Sequence, residues 1–429
     1  DDSAAKTTAE IQLGRRLFVD GRFSTTAGDF VTSCRDCHLS HESPEGLRAF
    51  NDFLSRSWQP WRSQEPNRDT LRNAPTLFDT GELPRLHYDG EFSSLEDLVR
   101  GTLTGRPMGW LPEEREQASE WIRRIVVGAD GQSPDDRYVE ELQEVYAADV
   151  ESLAADQVVA LLARAVASYV RTLRSPRNSA YDRFVSLNAL DEGPAAGENA
   201  QQFAGRQLAR VAELESSNQL RLPPGFSADA LEGWKRFHSV EGGASQANCV
   251  ACHVPPTFSD NRFHNIGVSQ REYDEVHGVG RFAALPIPDA AAAVRPDERF
   301  RSIPSRERPD AADLGYWNFV DLKDAPQRRA DESESAFLER MVATFKTPTL
   351  RNLAYSQPYF HNGRFGSVRS TLEELQELNR LARAGQVRAV TGEFETSLIL
   401  QEDLPFLVAF LGTLNDNLGS RFVGQEGGL

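Results

Sequence analysis

The stretch Cys249-Val250-Ala251-Cys252-His253 decides how this 429-residue chain is interpreted. The same pattern occurs earlier as Cys34-Arg35-Asp36-Cys37-His38. C-x-x-C-H is the attachment pattern of c-type haem, in which each thiol adds to one vinyl group and the imidazole that follows binds the iron. The two motifs use all four cysteines of the chain. We therefore predict two covalently bound haem c groups, with His38 and His253 as iron ligands.

Two other interpretations of the cysteine pairs remain open. Each pair could supply half of a zinc site or form a redox-active dithiol. Zinc requires four ligands brought together, however, and a dithiol does not need a histidine directly after its second cysteine. The repeated pattern favours haem.

The composition is that of a globular protein large enough for two or three domains. No apolar run approaches the roughly 18 residues of a membrane span. The chain starts at Asp1 without an apolar signal region, whereas haem attachment through C-x-x-C-H is completed outside the cytoplasm. We therefore expect a periplasmic protein whose export signal has already been removed.

The net charge of −17 argues against nucleic acid and anionic membranes as partners. Such a charge either keeps the protein soluble or steers a basic protein partner toward it. Both explanations remain open from the sequence.

Apolar periodicity predicts a mainly α-helical fold. Helices are expected over residues 9–18, 95–102, 113–127, 149–173 and 227–237. A helical stretch precedes each C-x-x-C-H motif, which indicates duplication of one haem-binding domain. We expect two cytochrome c-like haem domains, 1–185 and 186–429, packed together with long irregular loops.

Other motifs also recur in the two halves. Arg72-Asn73-Ala74-Pro75-Thr76 is echoed by Thr347-Pro348-Thr349-Leu350-Arg351-Asn352, and His87-Tyr88-Asp89-Gly90 by Pro358-Tyr359-Phe360-His361-Asn362-Gly363. Together with Leu13-Gly14-Arg15-Arg16-Leu17-Phe18 and the stretch after the second C-x-x-C-H motif, they make the chain resemble the bacterial di-haem cytochrome c peroxidase and MauG family. The resemblance covers roughly residues 10 to 415.

The resemblance implies that the N-terminal haem reacts with hydrogen peroxide and that the C-terminal haem exchanges electrons with it. It also implies a calcium ion held by Asn73, Ser356 and Pro358, through oxygen ligands of the kind that calcium prefers. Family members that need reductive activation carry a distal histidine, but no histidine lies between His41 and His87 here. We therefore expect a five-coordinate, open first haem, as in MauG and the MauG-like enzymes of copper-acquisition operons.

The catalytic residues are predicted by position. Tyr88 stands where the family has a tryptophan between the haems, and is either a redox-active ring or a packing aromatic. The position of the family's distal glutamate holds no acid, so Glu113 and Glu114 are the nearest substitutes. They either reach the haem pocket and move a proton during peroxide cleavage or stabilise the start of the helix that follows.

The sixth ligand of the second haem is missing from its expected place near Asn379. Residues 363–429 contain no Met, Tyr, His or Cys. Met341 is the first candidate for this ligand, with Tyr316 and His277 behind it. The axial ligand matters because it helps to set the potential of the iron.

These features lead to three hypotheses for the function. In the first, hydrogen peroxide brings the di-haem unit to a high-valent state that oxidises a Trp or Tyr side chain of a partner protein at long range, a post-translational modification like that made by MauG. In the second, the chain is a peroxidase that reduces hydrogen peroxide with electrons from a small cytochrome or cupredoxin. In the third, it is a di-haem electron carrier without catalysis. The missing distal histidine favours the first.

Overall fold

The computed structural model describes residues 2–25, 32–42, 48–51, 71–129, 137–239, 247–323 and 325–417. These residues form two compact units, one within Asp1–Leu86 and Phe92–Ser175 and the other within His87–Glu91 and Pro176–Arg421. The division differs from the boundary expected at 185–186. A helix at Ala180–Leu187 crosses that position, and its Tyr181 and Phe184 are buried in the core of the second unit.

Helices make up most of the first unit, as predicted. Their bounds are α1 Asp2–Val19, α2 Cys34–Cys37, α3 Leu95–Leu103, α4 Arg115–Val126, α5 Tyr138–Tyr146 and α6 Ala155–Val170. One short antiparallel pair, β1 Leu39–Glu42 and β2 Arg48–Asn51, follows α2. The helices expected from the sequence are present, although α6 begins later than expected, after a 3-10 turn at Val150–Ser152.

Helices α1 and α6 cross in direct backbone contact at Gly14. A Cβ atom on Gly14 would lie 1.9 Å from the carbonyl oxygen of Ala165. Leu17 of α1 and Val166 of α6 are buried in the same unit, at 3% and 2% exposure. Because the interior is close-packed, any side chain larger than hydrogen at Gly14 would force the two helices apart.

The second unit repeats this crossing. Its elements are α7 Ala180–Leu187, α8 Ala200–Ser216, α9 Ala228–His238, β3 Phe263–His264, α10 Val268–His277, α11 Glu334–Arg340, β4 Phe345–Lys346, α12 Val368–Arg383, α13 Gly392–Thr396 and α14 Leu404–Gly412. A Cβ atom on Gly233 of α9 would lie 1.9 Å from the carbonyl oxygen of Phe406 in α14. In each unit a buried phenylalanine, Phe18 or Phe237, follows the crossing glycine by one helical turn. This shared geometry supports the duplication inferred from the motifs.

Two hydrophobic clusters fill the second unit. The first joins the buried faces of α7, α9 and α14 to Val250 and Phe258, beside the second C-x-x-C-H motif. The second lies within residues 263–343 and contains Trp317 and Met341. β3 and β4 form an antiparallel pair beside it. Within the described ranges, no helix combines the length and the apolar character that a membrane crossing requires.

The echoed motifs at Tyr88 and His361 form turns of the same geometry. The N–H of Leu86 donates to the carbonyl of Phe92 at 2.8 Å, and the N–H of Tyr359 donates to the carbonyl of Phe365 at 2.7 Å. Each turn then places a glycine at positive φ, 68° in the first and 61° in the second, where glycine carries no steric penalty. Tyr88 and His361 therefore occupy equivalent positions.

Candidate functional site

The second C-x-x-C-H motif folds as a 3-10 turn at Cys249–Ala251. The N–H of His253 donates to the carbonyl of Cys249 at 2.8 Å. The ring of His253 places Nδ1 2.9 Å from the carbonyl oxygen of Phe258. Since a carbonyl can only accept a hydrogen bond, Nδ1 carries the proton and Nε2 keeps a lone pair for a metal ion.

These contacts fit an iron-binding imidazole. Burial lowers the pKa of His253, against the hydrogen bonds to the backbone carbonyls of Phe258 and Pro348. The ring is therefore neutral, as metal ligation requires, and its orientation is held from the second nitrogen. Burial also raises the pKa of the neighbouring Cys249 thiol to about 12.

His264 lies at the edge of the same motif. Its Nε2 is 2.8 Å from a carboxylate oxygen of Asp260, whose other oxygen accepts from the hydroxyl of Thr347 at 2.8 Å. Burial acts against the charged ring, but hydrogen bonds to Asp260 and to the sulfur of Cys252 raise the pKa of His264 to about 10. His264 therefore contacts a cysteine of the motif and the Asp260 carboxylate, and its role beside a haem stays a prediction.

Arg351 joins this region to α7. Its guanidinium donates to both carboxylate oxygens of Asp182, at 2.7 and 3.1 Å, and to the carbonyl of Pro256 at 2.6 Å. Arg351 is only 3% exposed. The sequence singled out Arg351 within a motif but missed Asp182, because the two residues are far apart in the chain and no spacing rule connects them.

The first C-x-x-C-H motif forms the single turn α2. Asp36 accepts from the N–H and the hydroxyl of Ser33, at 2.6 and 2.8 Å, and so stabilises the start of the turn. The N–H of His38 donates to the carbonyl of Cys34 at 2.9 Å, as His253 does to Cys249. Cys34 and Cys37, three positions apart, share one side of the turn. All four cysteines are free of disulfides, which fits thiols reserved for haem.

Tyr88 packs against other rings within the second unit. Its ring meets that of His361 edge to face, with centroids 6.5 Å apart. His361 in turn stacks on Phe345 with centroids 3.6 Å apart. The N–H of Lys346 donates to the carbonyl of Tyr88 at 2.7 Å. Tyr88 thus has a packing role. Its ring is also the first of three rings in contact, followed by those of His361 and Phe345.

His87, Asp89 and Glu91 group their side chains in the same turn. One ligand atom from each lies within 4.8 Å of the others. Arg301 donates to Glu91 at 3.0 Å. Burial lowers the pKa of Lys346 to about 8, against the attraction of Asp89. Because the two cations offset the carboxylates, we interpret this cluster as an ion-pair network and not as a metal site.

Glu113 and Glu114 lie in a 3-10 turn directly before α4. A carboxylate oxygen of Glu114 accepts from the N–H of Leu111 at 2.9 Å, so Glu114 stabilises the turn. Glu113 is exposed. The contacts account for Glu114 as a cap, and the role of either residue as a distal acid stays a prediction.

The candidates for the sixth ligand each pack against other side chains. Met341 is 1% exposed and packs with Tyr316 in the second hydrophobic cluster, whereas Val250 belongs to the first. His277 ends α10 with its ring centroid 4.3 Å from that of Tyr273. Packing accounts for the burial of Met341 and Tyr316, and these contacts lend the ligand role no support.

The predicted calcium ligands are distributed over both units. Asn73 is buried in the first unit, and Ser356 and Pro358 belong to the second. Ser356 follows a 3-10 turn at Leu353–Tyr355. Calcium binding stays a prediction from the resemblance.

Duplicated helical units that each carry a C-x-x-C-H turn define a di-haem protein of the cytochrome c type. Residues 8–189 match the family model of di-haem cytochrome c peroxidase. Cytochrome-c peroxidase IdrP1 of Denitromonas iodatirespirans is 24% identical over 416 residues, which cover 95% of this chain and 82% of that protein. The methylamine utilization protein MauG of Methylophilus methylotrophus is 22% identical, over 95% of this chain and 83% of that protein.

Solved structures share the fold. A MauG-like protein associated with microbial copper homeostasis has a TM-score of 0.52 and 19% identity, over 96% of this chain and 92% of that chain. The diheme peroxidase BthA from Burkholderia thailandensis has a TM-score of 0.57 and 18% identity, over 95% of this chain and 86% of that chain. Residues 8–189 belong to the di-haem cytochrome c peroxidase family, and the chain as a whole is similar to cytochrome-c peroxidases and MauG proteins; it is a haem-dependent oxidoreductase.

Proposed function

We propose that this chain is a periplasmic di-haem c-type oxidoreductase that uses hydrogen peroxide to oxidise a Trp or Tyr side chain of a partner protein. The observation that carries the proposal is the missing histidine between His41 and His87, which leaves the first haem open to peroxide. Similarity to two MauG proteins over 95% of this chain supports the same function.

The chain's own residues supply the framework for this chemistry. When bound, the haems provide the redox chemistry, in which hydrogen peroxide takes up two electrons and two protons and gives two molecules of water. His38 and His253 hold the two groups, and the Phe258 carbonyl orients His253. The proposed attachment residues are Cys34, Cys37, Cys249 and Cys252, and the proposed calcium ligands are Asn73, Ser356 and Pro358.

Cleavage of peroxide requires a proton to move from one oxygen to the other. Glu113 and Glu114 are the proposed acids. Glu114→Gln keeps an oxygen that accepts from Leu111, so it tests the proton separately from the cap. Each glutamate is replaced by Gln in turn. If one of them is the distal acid, its Gln variant should react with peroxide about 100-fold more slowly, and the Gln variant of the other glutamate should react like the unmodified protein.

The test of the main proposal is an electron paramagnetic resonance spectrum of the ferric protein as isolated, repeated after one equivalent of hydrogen peroxide. A high-spin signal that disappears without prior reduction supports an open haem. Ferric signals that ignore peroxide until the protein is half-reduced would contradict it.

A second candidate function is removal of hydrogen peroxide with electrons from a small cytochrome or cupredoxin. The cytochrome-c peroxidases among the similar proteins, at 23% to 26% identity, favour it. Stopped-flow mixing with peroxide and a reduced small cytochrome separates the two functions. Rapid steady turnover supports the peroxidase, and its absence supports oxidation of a partner protein.

A further inference from the structure

One polar residue stands on the side of α12 that faces the second C-x-x-C-H motif. Leu372 and Leu375 of α12 pack into the cluster that contains Val250 and Phe258. Asn379 follows Leu375 by four positions and therefore lies on the same face of the helix. It is 2% exposed. Leu378, by contrast, points toward Gly267, on another side of the helix.

The side-chain amide of Asn379 is hydrogen-bonded to neighbouring residues. Its Nδ2 donates to the carbonyl of Phe394 at 2.7 Å and to the carbonyl and hydroxyl of Ser397 at 3.2 and 3.0 Å. Its Oδ1 accepts from the N–H of Ile399 at 3.4 Å. Phe394 and Ile399 belong to or pack against the same hydrophobic cluster. Asn379 thus holds the 394–399 segment in place and is not available to bind iron.

Within the part of the chain that the structure describes, the helices α12, α13 and α14 carry no side chain that binds iron strongly. Residues 363–429 contain no His, Met, Tyr, Cys or Lys, so α12, α13 and α14 offer none of these ligands. Tyr181 packs at 5.0 Å on Phe258, the residue whose carbonyl holds His253, and so lies with the proximal group. His361 stacks on Phe345, which is not a member of this cluster.

We propose that the second haem keeps an open coordination position on its α12 side and binds small neutral or anionic ligands of haem iron there. The proposal rests on haem attachment at Cys249 and Cys252. The wall formed by Leu372 and Leu375 is apolar, so these two side chains would give a bound ligand no hydrogen bond. The chain would then have two ligand-binding irons instead of one.

The experiment isolates the second haem with the variant Cys34→Ser/Cys37→Ser, purified as a holoprotein with its haem count measured after denaturation. We expect a high-spin ferric spectrum and binding of one cyanide per haem. Asn379→Met in the same background places a flexible thioether on this face and should give a low-spin spectrum that binds cyanide at least tenfold more weakly. Asn379→Leu, which removes the amide bonds without adding a ligand, should stay high-spin.

A low-spin spectrum before any addition to the single-haem protein would overturn the inference, because it shows that the protein supplies a sixth ligand. If this double variant does not fold, the same titration of the unmodified protein decides, provided that the peroxide test has shown the first haem to be open: two cyanides per protein then support the open second haem and one contradicts it. If the protein retains no covalent haem at the second motif, the proposed function itself is contradicted. The haem count distinguishes this outcome from a second haem that is bound but low-spin.

Discussion

Tyr88 and His361 occupy equivalent positions in two turns of the same geometry, and their rings meet edge to face with centroids 6.5 Å apart. Corresponding residues of two similar turns therefore contact each other within the second unit. The contact buries part of the Tyr88 ring, while the stack of His361 on Phe345 extends the aromatic path. An edge-to-face pair of this kind contributes about 1 kcal/mol beyond its buried area.

Tyr88→Phe tests whether the phenol does more than pack. The substitution keeps the edge-to-face contact, so we expect the free energy of unfolding to change by less than about 1 kcal/mol. If Tyr88 carries oxidising equivalents, the protein that gives electrons to the haems should be oxidised at least tenfold more slowly after peroxide addition. Tyr88→Trp should keep the original rate. The measurement is stopped-flow absorption. An unchanged rate in the Phe variant would leave Tyr88 with a packing role only.

Gly233→Ala should destabilise the second unit. The new Cβ would lie 1.9 Å from the carbonyl oxygen of Phe406, so α9 and α14 must separate. We expect a loss of about 3 kcal/mol in the free energy of unfolding, measured by urea denaturation of the holoprotein. Gly205→Ala is the matched control: it lies in α8 with nothing within 4 Å of its Cβ, and should stabilise by about 0.5–1 kcal/mol. Equal effects of the two substitutions would refute the close crossing.

Asp182→Asn should expose the cost of a buried charge. The guanidinium of Arg351 is 3% exposed and loses its hydrogen-bonded carboxylate partner, with only Asp416 left at 4.0 Å, so we expect about 3 kcal/mol of destabilisation. Glu213→Gln, which breaks the exposed pair with Arg210, should cost less than about 0.5 kcal/mol. Thermal unfolding of the three proteins provides the comparison. A cost at Asp182 no larger than at Glu213 would show that the buried pair is not structural.

His238 should make stability depend on pH. It is 1% exposed, its Nδ1 lies 2.8 Å from the carbonyl of Trp234, and burial lowers its pKa to about 4 from an ordinary value of 6.5. The unfolded chain therefore binds more protons below pH 6.5, and stability falls as the pH drops from 6.5 toward 4. At 1.36 kcal/mol per pH unit, the total loss is about 3 kcal/mol.

His238→Leu removes this titration while keeping an apolar side chain among the aromatic residues of α9. The slope of unfolding free energy against pH between 4 and 6.5 should decrease accordingly. Denaturant titrations at several pH values measure it. If the slope were the same in both proteins, other groups would have to be responsible for it.

Much of the site could be read from local patterns. The C-x-x-C-H motifs place two thiols and an imidazole within one turn, so residue type and spacing alone indicate their chemistry. The helices near both motifs were predictable for the same reason, since their apolar residues repeat with the helical period. The Cys249 and Cys34 motifs do fold as tight turns with the same N–H to carbonyl contact.

Other properties depend on residues that meet only when the chain folds. The pairing of Arg351 with Asp182 and the place of Met341 in a separate cluster have no local pattern behind them. The hydrogen bonds from Asn379 to the carbonyls of Phe394 and Ser397 likewise depend on the packing of a loop against a helix. The sequence by itself determined the helical class and predicted the cofactor sites, because both depend on short spacings. Only the tertiary structure decided which buried polar groups were already satisfied, because hydrogen bonds and desolvation depend on distances between segments remote in the chain.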